Sequence, residues 1–391
     1  MSHPFTDDRC YVNRADERID PHNPFANPTE EPEYTPDYAE IVPQIETPGC
    51  RIPLMPSKSE KHRVRYFYNL ACCLAVLDFL AAMCFSILFT EIVKVALRAS
   101  DLAALDGSLP QNYSQIVSSY FTDSGLAMGI NLISFLLANT LIFFIGCRLS
   151  HCKPRDFFQD RDLTSSCLLR YIFIGLWIQL LCGWAVTMLS KIFGSADFLF
   201  NSPDFSTGNS KTKLLLTVLY GCLVAPVTEE LVFRGVVLKN LSRVSQRFGI
   251  FVSALLFGLA HENIPQGILA FVLGIFLAYI TISHNSIAPA ILVHFCVNTT
   301  ETIFSSLNEI GDGASVQIYA VYSLVILLVG AIAFFSTALS ERLPASTPHQ
   351  SFRTTPILLT SVCFWAFLIL HLTYQFLPQL STVFSRVISK G

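Results

Sequence analysis

From residue 66 onward, long apolar runs alternate with short polar connections. Nine such runs cover residues 66–90, 126–149, 168–192, 213–236, 248–261, 267–283, 287–307, 316–339 and 356–377. A helix needs about 20 apolar residues to cross the hydrocarbon core of a bilayer, and most of the nine meet that length. The pattern predicts an all-α, polytopic membrane helix bundle of about eight to nine transmembrane helices. The fifth and sixth runs are short. Incomplete spans and irregular backbone are tolerated at membrane depth only where protein or a wet cavity covers them, so these two neighbours predict a central, protein-surrounded site.

Residues 1–65 differ from the rest. The stretch TEEPEYTPDYAEIVP is rich in Pro and acidic residues and shows neither helical nor strand periodicity, which predicts a disordered, acidic, Pro-rich tail. The tail lacks the apolar core of a secretory signal, so the first apolar run is expected to stay as a membrane anchor. The remaining chain divides into N-terminal transmembrane helices over 66–205, a polar-containing core over 206–310 and C-terminal transmembrane helices over 311–391.

Positive charge in the connections sets the expected orientation. Lys58, Lys61, Arg63 and Arg65 precede the first run, and Arg148, Lys153, Arg155 and Arg161 follow the second. Lys239, Arg243 and Arg247 follow the fourth, and Arg342 and Arg353 follow the eighth. This alternation places the N-terminus in the cytoplasm, although Lys211 and Lys213 blur the third connection.

Composition narrows the class further. Hydrophobic residues make up 52% of the 391 and charged residues only 14%, a balance foreign to soluble enzymes. A net charge of -3 provides no basic field for nucleic acid. The twelve cysteines show neither zinc spacing nor a redox CxxC, and most fall inside apolar runs, where a thiol packs as a small hydrophobe.

Polar residues inside the apolar runs point to chemistry. An ionisable group near the centre of a membrane helix costs about 2.5–3.5 kcal/mol on insertion scales, yet PVTEELVFRG carries Glu229, Glu230 and Arg234. Glu230 and Arg234 are spaced for an ion pair on one helix face, while Glu229 points about 100° away. Taken alone, this is the signature of a structural salt bridge near a helix end. But LLFGLAHENIPQG places Phe257 one turn before His261, and SIAPAILVHFCVN places His294 and Asn298 on one face. Their common cost predicts a common cavity. Asp78 and Glu301 are further buried candidates, and Asn112 and Asn240 lie in glycosylation sequons. Gly221, Ala225, Gly267 and Gly274 read as close-packing points.

TEELVFRG fits EExxxR, FGLAH fits FxxxH and HFCVN fits HxxxN, in the order and rough spacing of the CPBP intramembrane endopeptidases. That family contains the type II CAAX prenyl proteases and the bacteriocin-processing membrane proteins. The resemblance spans about residues 211–310. It implies a glutamate-dependent protease in which Glu229 is the general base, His261 helps hold and polarise water, and His294 with Asn298 stabilises the oxyanion. Glu230, Arg234 and Phe257 are then supporting residues.

Amide hydrolysis needs an activated water, a proton relay to the leaving amine and donors for the tetrahedral oxygen, and these side chains supply all three. No cofactor is required, although Glu229, His261 and His294 form a plausible zinc set. Neither Ser253 nor Cys296 has a triad partner in view. The expected partners are a lipid bilayer and a membrane-embedded or lipidated protein or peptide substrate, with no nucleic acid. The location is the inner membrane of a bacterium or an internal membrane of a eukaryote. A non-catalytic membrane protein using the same cavity for binding, partner stabilisation or transport remains the alternative.

Straight helices do not bring these residues together. At 1.5 Å per residue, His261 lies roughly 20 Å from the cytoplasmic surface, His294 roughly 10 Å, and Glu229 about 5 to 10 Å. Either the fourth run must tilt, break or shift, with Pro226 permitting a bend there, or the fifth must begin further out in the cytoplasm. The expected result is a conical, water-filled cavity open to the cytoplasm.

Overall fold

The structure, a computed structural model, describes residues 58–104, 109–159, 163–192, 210–243, 246–261, 263–310, 313–340 and 354–388. The expected tail lies outside them up to residue 57; residues 58–65 are helical. Among the described residues the architecture is all-helical, with one isolated bridge between Phe158 and Ser286.

Among the described residues eleven helices follow in order: α1 Lys58–Ala104, α2 Tyr113–Ser124, α3 Leu126–Leu149 and α4 Ser165–Ile192, with a short 3-10 turn at Pro154–Phe157 before α4. Next come α5 Lys211–Ser242, α6 Gln246–Leu259, α7 Ile264–His284 and α8 Ala288–Ile310. α9 Gly313–Ser340, α10 Thr354–Leu358 and α11 Val362–Ile388 close the chain. Six of them, α1, α3, α4, α5, α7 and α9, are long and apolar enough to cross a membrane, and α6 and the first part of α11 are shorter apolar segments. The seventh run of the sequence is the 23-residue α8, whose polar site residues dilute its apolar character. The protein is an integral, multi-pass membrane helix bundle.

The first span is only the middle of α1. Its 47 residues rise roughly 70 Å at 1.5 Å each, so the helix runs well beyond the hydrocarbon core. The connection after it also contains α2, which ends at Gly125 with φ 79, a left-handed value that favours glycine.

α7 is the hub of the packing. Ala270 and Ala278 belong to a core shared with α1, α3, α5, α6 and α11. Leu273, Leu277 and Ile280, on another face of the same helix, belong to a second core with α4, α8 and α9. Helices α6 and α7 form a tight hairpin. A Cβ on Gly258 would stand 2.8 Å from the Gly267 carbonyl oxygen, so the two backbones approach as closely as glycine allows. Asn263 caps α7 by accepting from Gln266 N at 2.9 Å, and its own amide donates to His261 O at 2.8 Å. Asn240 of the second sequon is fully buried and donates to Ser150 Oγ and Val236 O, which closes it to a glycan.

Candidate active site

The site grows from the backbone of α5. Two π-helical turns, Val218–Val224 and Leu231–Val237, bracket the α-helical Ala225–Glu230. A π turn bonds i to i+5 and recurs at functional sites because it re-aims side chains without ending the helix. In the first turn Ala225 N donates to Tyr220 O. The next bond in that register would join residue 226 to Gly221 O, but Pro226 has no N–H. Asn298 fills the gap: its Nδ2 donates to Gly221 O at 2.9 Å. The expected break at Pro226 is thus a widened helix with a side-chain repair from α8.

The second π turn carries Arg234. Its Nε lies 3.1 Å from Glu230 Oε2, with both side chains wholly buried. The contact lacks the aligned geometry of a hydrogen bond and is an ion pair. The guanidinium carbon sits 4.0 Å above the centre of the Phe257 ring, a cation–π contact worth about 2 kcal/mol when desolvated. Gly274 of α7 makes room, since a Cβ there would stand 3.1 Å from Arg234 Nη2.

Glu230 also fixes a histidine. His294 Nδ1 lies 2.9 Å from Glu230 Oε1. A carboxylate only accepts, so Nδ1 carries the hydrogen and Nε2 is turned to Glu229, whose Oε2 lies 4.0 Å away. That span is too long for a direct hydrogen bond and suits a bridging water. Glu229 is the accessible member of the group, with 20% of its side chain exposed against 4% for His294. His261 is held differently. Its Nδ1 donates to Phe257 O at 2.9 Å, and its ring stands edge-on to Phe257 at 4.8 Å. It is close enough to Glu229 and His294 for their charges to interact, without a direct hydrogen bond to either.

Glu229, Glu230, Arg234, Phe257, His261 and His294 are therefore brought together as one cluster from α5, α6, the turn after α6 and α8. Asn298, one turn after His294, reaches the α5 backbone with one of its two amide hydrogens. Glu301 accepts from Gln179 Nε2 of α4 at 2.8 Å. Ser253 is buried and donates to Ile250 O at 3.2 Å, so its hydroxyl faces its own helix. Among the described residues no three His, Cys, Asp or Glu side chains converge to hold a metal ion.

Two supporting residues escape the sequence patterns. Asn139 of α3 is buried and donates to Thr228 Oγ1 at 2.8 Å, and Thr228 in turn donates to Val224 O at 2.9 Å. This pair steadies the residue just before Glu229. The only cue in the sequence is an asparagine within the apolar run LLANTL.

Residues 211–300 match the family described as Type II CAAX prenyl endopeptidase Rce1-like. Neither a curated protein nor a solved structure matches the chain. The matched segment contains α5, α6 and α7 and the part of α8 that carries His294 and Asn298. The segment that holds this cluster is thus similar to the Type II CAAX prenyl endopeptidase Rce1-like family.

Proposed function

We propose that the protein is an intramembrane glutamate-dependent endopeptidase that hydrolyses a peptide bond of a membrane-associated, lipidated protein or peptide. The observation that carries this reading is the approach of Glu229 Oε2 to within 4.0 Å of His294 Nε2, close enough for one water beside them to bond to both, with the imidazole's orientation fixed by Glu230. Water held there attacks the scissile carbonyl carbon while Glu229 takes its proton. The C–N bond then breaks and the amine leaves with that proton.

His261, grouped with His294 around the Phe257 ring, helps polarise the water. The developing oxyanion needs donors. The second amide hydrogen of Asn298 is one. His294 serves as the other once Nε2 carries a proton, which leaves an imidazolium flanked by two carboxylates. The N-terminus is cytoplasmic in this reading, from the positive charge of the connections, and the cluster opens to that side.

The test is cleavage of a fluorogenic peptide panel, prenylated and unprenylated, by purified protein in detergent, with and without a chelator. The expected result is chelator-resistant cleavage of lipidated peptides. A folded protein that cleaves no member of the panel overturns the reading and leaves the cluster as a binding cavity. Loss of cleavage on chelation, restored by zinc, overturns the glutamate mechanism.

A further inference from the structure

Three asparagines of the chain head an Asn-x-Ser/Thr sequon with x other than proline: Asn112-Tyr-Ser, Asn240-Leu-Ser and Asn298-Thr-Thr. Two of them are closed to modification. Asn240 is fully buried, and its amide is bonded to Ser150 Oγ and Val236 O. Asn298 stands in the interior of α8 with its amide on Gly221 O. Asn112 differs from both. It and Ser114 are exposed.

Asn112 holds the N-cap position of α2, where an asparagine side chain ordinarily accepts from the first turn of the helix. Here it makes no capping bond. The backbone forms the turn instead: Tyr113 N donates to Pro110 O at 3.1 Å and Gln115 N to Asn112 O at 3.0 Å. The helix start therefore does not depend on the Asn112 amide, which a modifying enzyme can take without undoing it.

The fold also lifts this residue clear of the bilayer. The first apolar run ends at residue 90, but α1 continues to Ala104. Tyr113 Oη donates to Asp101 Oδ2 at 2.8 Å, which fixes the start of α2 beside the last turn of α1. At 1.5 Å per residue, Asp101 stands roughly 16 Å past residue 90 along that helix. Residues 99–125 contain no Lys or Arg, whereas the approach to α1 and the connection after α3 each hold four. That asymmetry marks the α1–α2 tip as the side carried across the membrane.

We propose that Asn112 is an N-glycosylation site on the non-cytoplasmic face of the protein. The co-reactant is a lipid-pyrophosphate-linked oligosaccharide, delivered by the glycosyl-transferring enzyme of a eukaryotic secretory membrane. Asn112 Nδ2 bonds to the anomeric carbon of the first sugar as the bond from that carbon to the pyrophosphate oxygen breaks. The lipid pyrophosphate leaves with the electron pair, and a base of the transferase takes the proton lost from Nδ2. The proposal rests on the cytoplasmic placement of the N-terminus given above and not on the hydrolytic reading. It requires a eukaryotic internal membrane, the second of the two locations open to this sequence.

The test uses the full chain, tagged at its N-terminus and recovered in sealed microsomes from its native cells. An amidase that releases N-linked glycans is expected to shift the solubilised protein to a single faster-migrating band and to leave Asn112 deamidated in the peptide map. Asn112→Gln and Ser114→Ala should abolish the shift, and Ser114→Thr should keep it. An unshifted wild type, or a shift that persists in Asn112→Gln, overturns the proposal. Protease added outside the microsomes separates the site from the orientation. A digested tag with no glycan sinks the site while the orientation stands, and a protected tag sinks both. Peptide cleavage, measured separately, decides the hydrolytic reading whichever way the glycan falls.

Discussion

Helices α5 and α9 are both long, apolar and able to span a membrane, but they face different solvents. α9 presents Val321, Leu324, Leu328, Ile332 and Phe335 outward, and its inner side seats Gly330 against Trp177 of α4. α5 buries Glu230 and Arg234 completely and surrounds them with Phe257, Gly274 and His294. Lipid cannot satisfy a hydrogen bond, so α9 keeps only small hydroxyls such as Ser323 and Thr337 in its buried set. A charged cluster survives in α5 because other helices close around it. The contrast teaches that apolar composition places a helix in the membrane, whereas protein enclosure decides whether the helix can carry chemistry.

The largest effect that would break this contrast lies at Glu229. Glu229→Gln should lower kcat by at least about 10²–10⁴-fold with the thermal midpoint unchanged, since this partly exposed side chain supports no buried pair. Comparable activity with glutamine would remove the distinction between the two helices.

The next effect is on stability. Arg234→Ala strands Glu230 in the core, and loss of one member of a buried pair costs about 3–5 kcal/mol. Arg234→Lys should rescue it poorly, because an ammonium cannot keep both the carboxylate contact and the planar stack on Phe257. The check is thermal unfolding in detergent, and a variant as stable as the wild type contradicts the enclosure argument.

A double variant separates the two tasks of Asn298. Asn298→Ala should cost about 1–3 kcal/mol by leaving Gly221 O without its donor. In a Pro226→Ala background residue 226 regains its N–H, so the same substitution should cost less stability but still reduce kcat by about 10²-fold or more. Equal stability losses in both backgrounds would refute the repair at the π turn. The smallest effect belongs to α9: Leu328→Ala, on the outward face, should change stability by no more than about 0.5 kcal/mol.

Much of this architecture is legible in the sequence, and the exceptions have physical causes. Apolar runs reveal spans because the bilayer imposes a length, so the helices appear where the hydropathy places them. The extension of α1 to residue 104 is hidden, since past the hydrocarbon a helix needs no apolar run. The clustering of Glu229, His261 and His294 is foreshadowed by the cost of placing each in an apolar segment. The π turns are not legible: periodicity shows which face is apolar but cannot register one extra residue per turn. Pro226 marks the position of the irregularity without disclosing its form. The partner of Asn298 is a backbone carbonyl, and Asn139 is a neutral amide reaching a hydroxyl. Neither leaves a charge pattern along the chain.

The central claim is that the carboxylate of Glu229 activates water without a metal. Its most direct test is the cleavage rate of a lipidated peptide by Glu229→Ala and wild-type protein of equal thermal stability, both in excess chelator. The account predicts sustained cleavage by the wild type and none above background by the variant. Equal cleavage by the two, or none by a wild type that recovers on adding zinc, would contradict it.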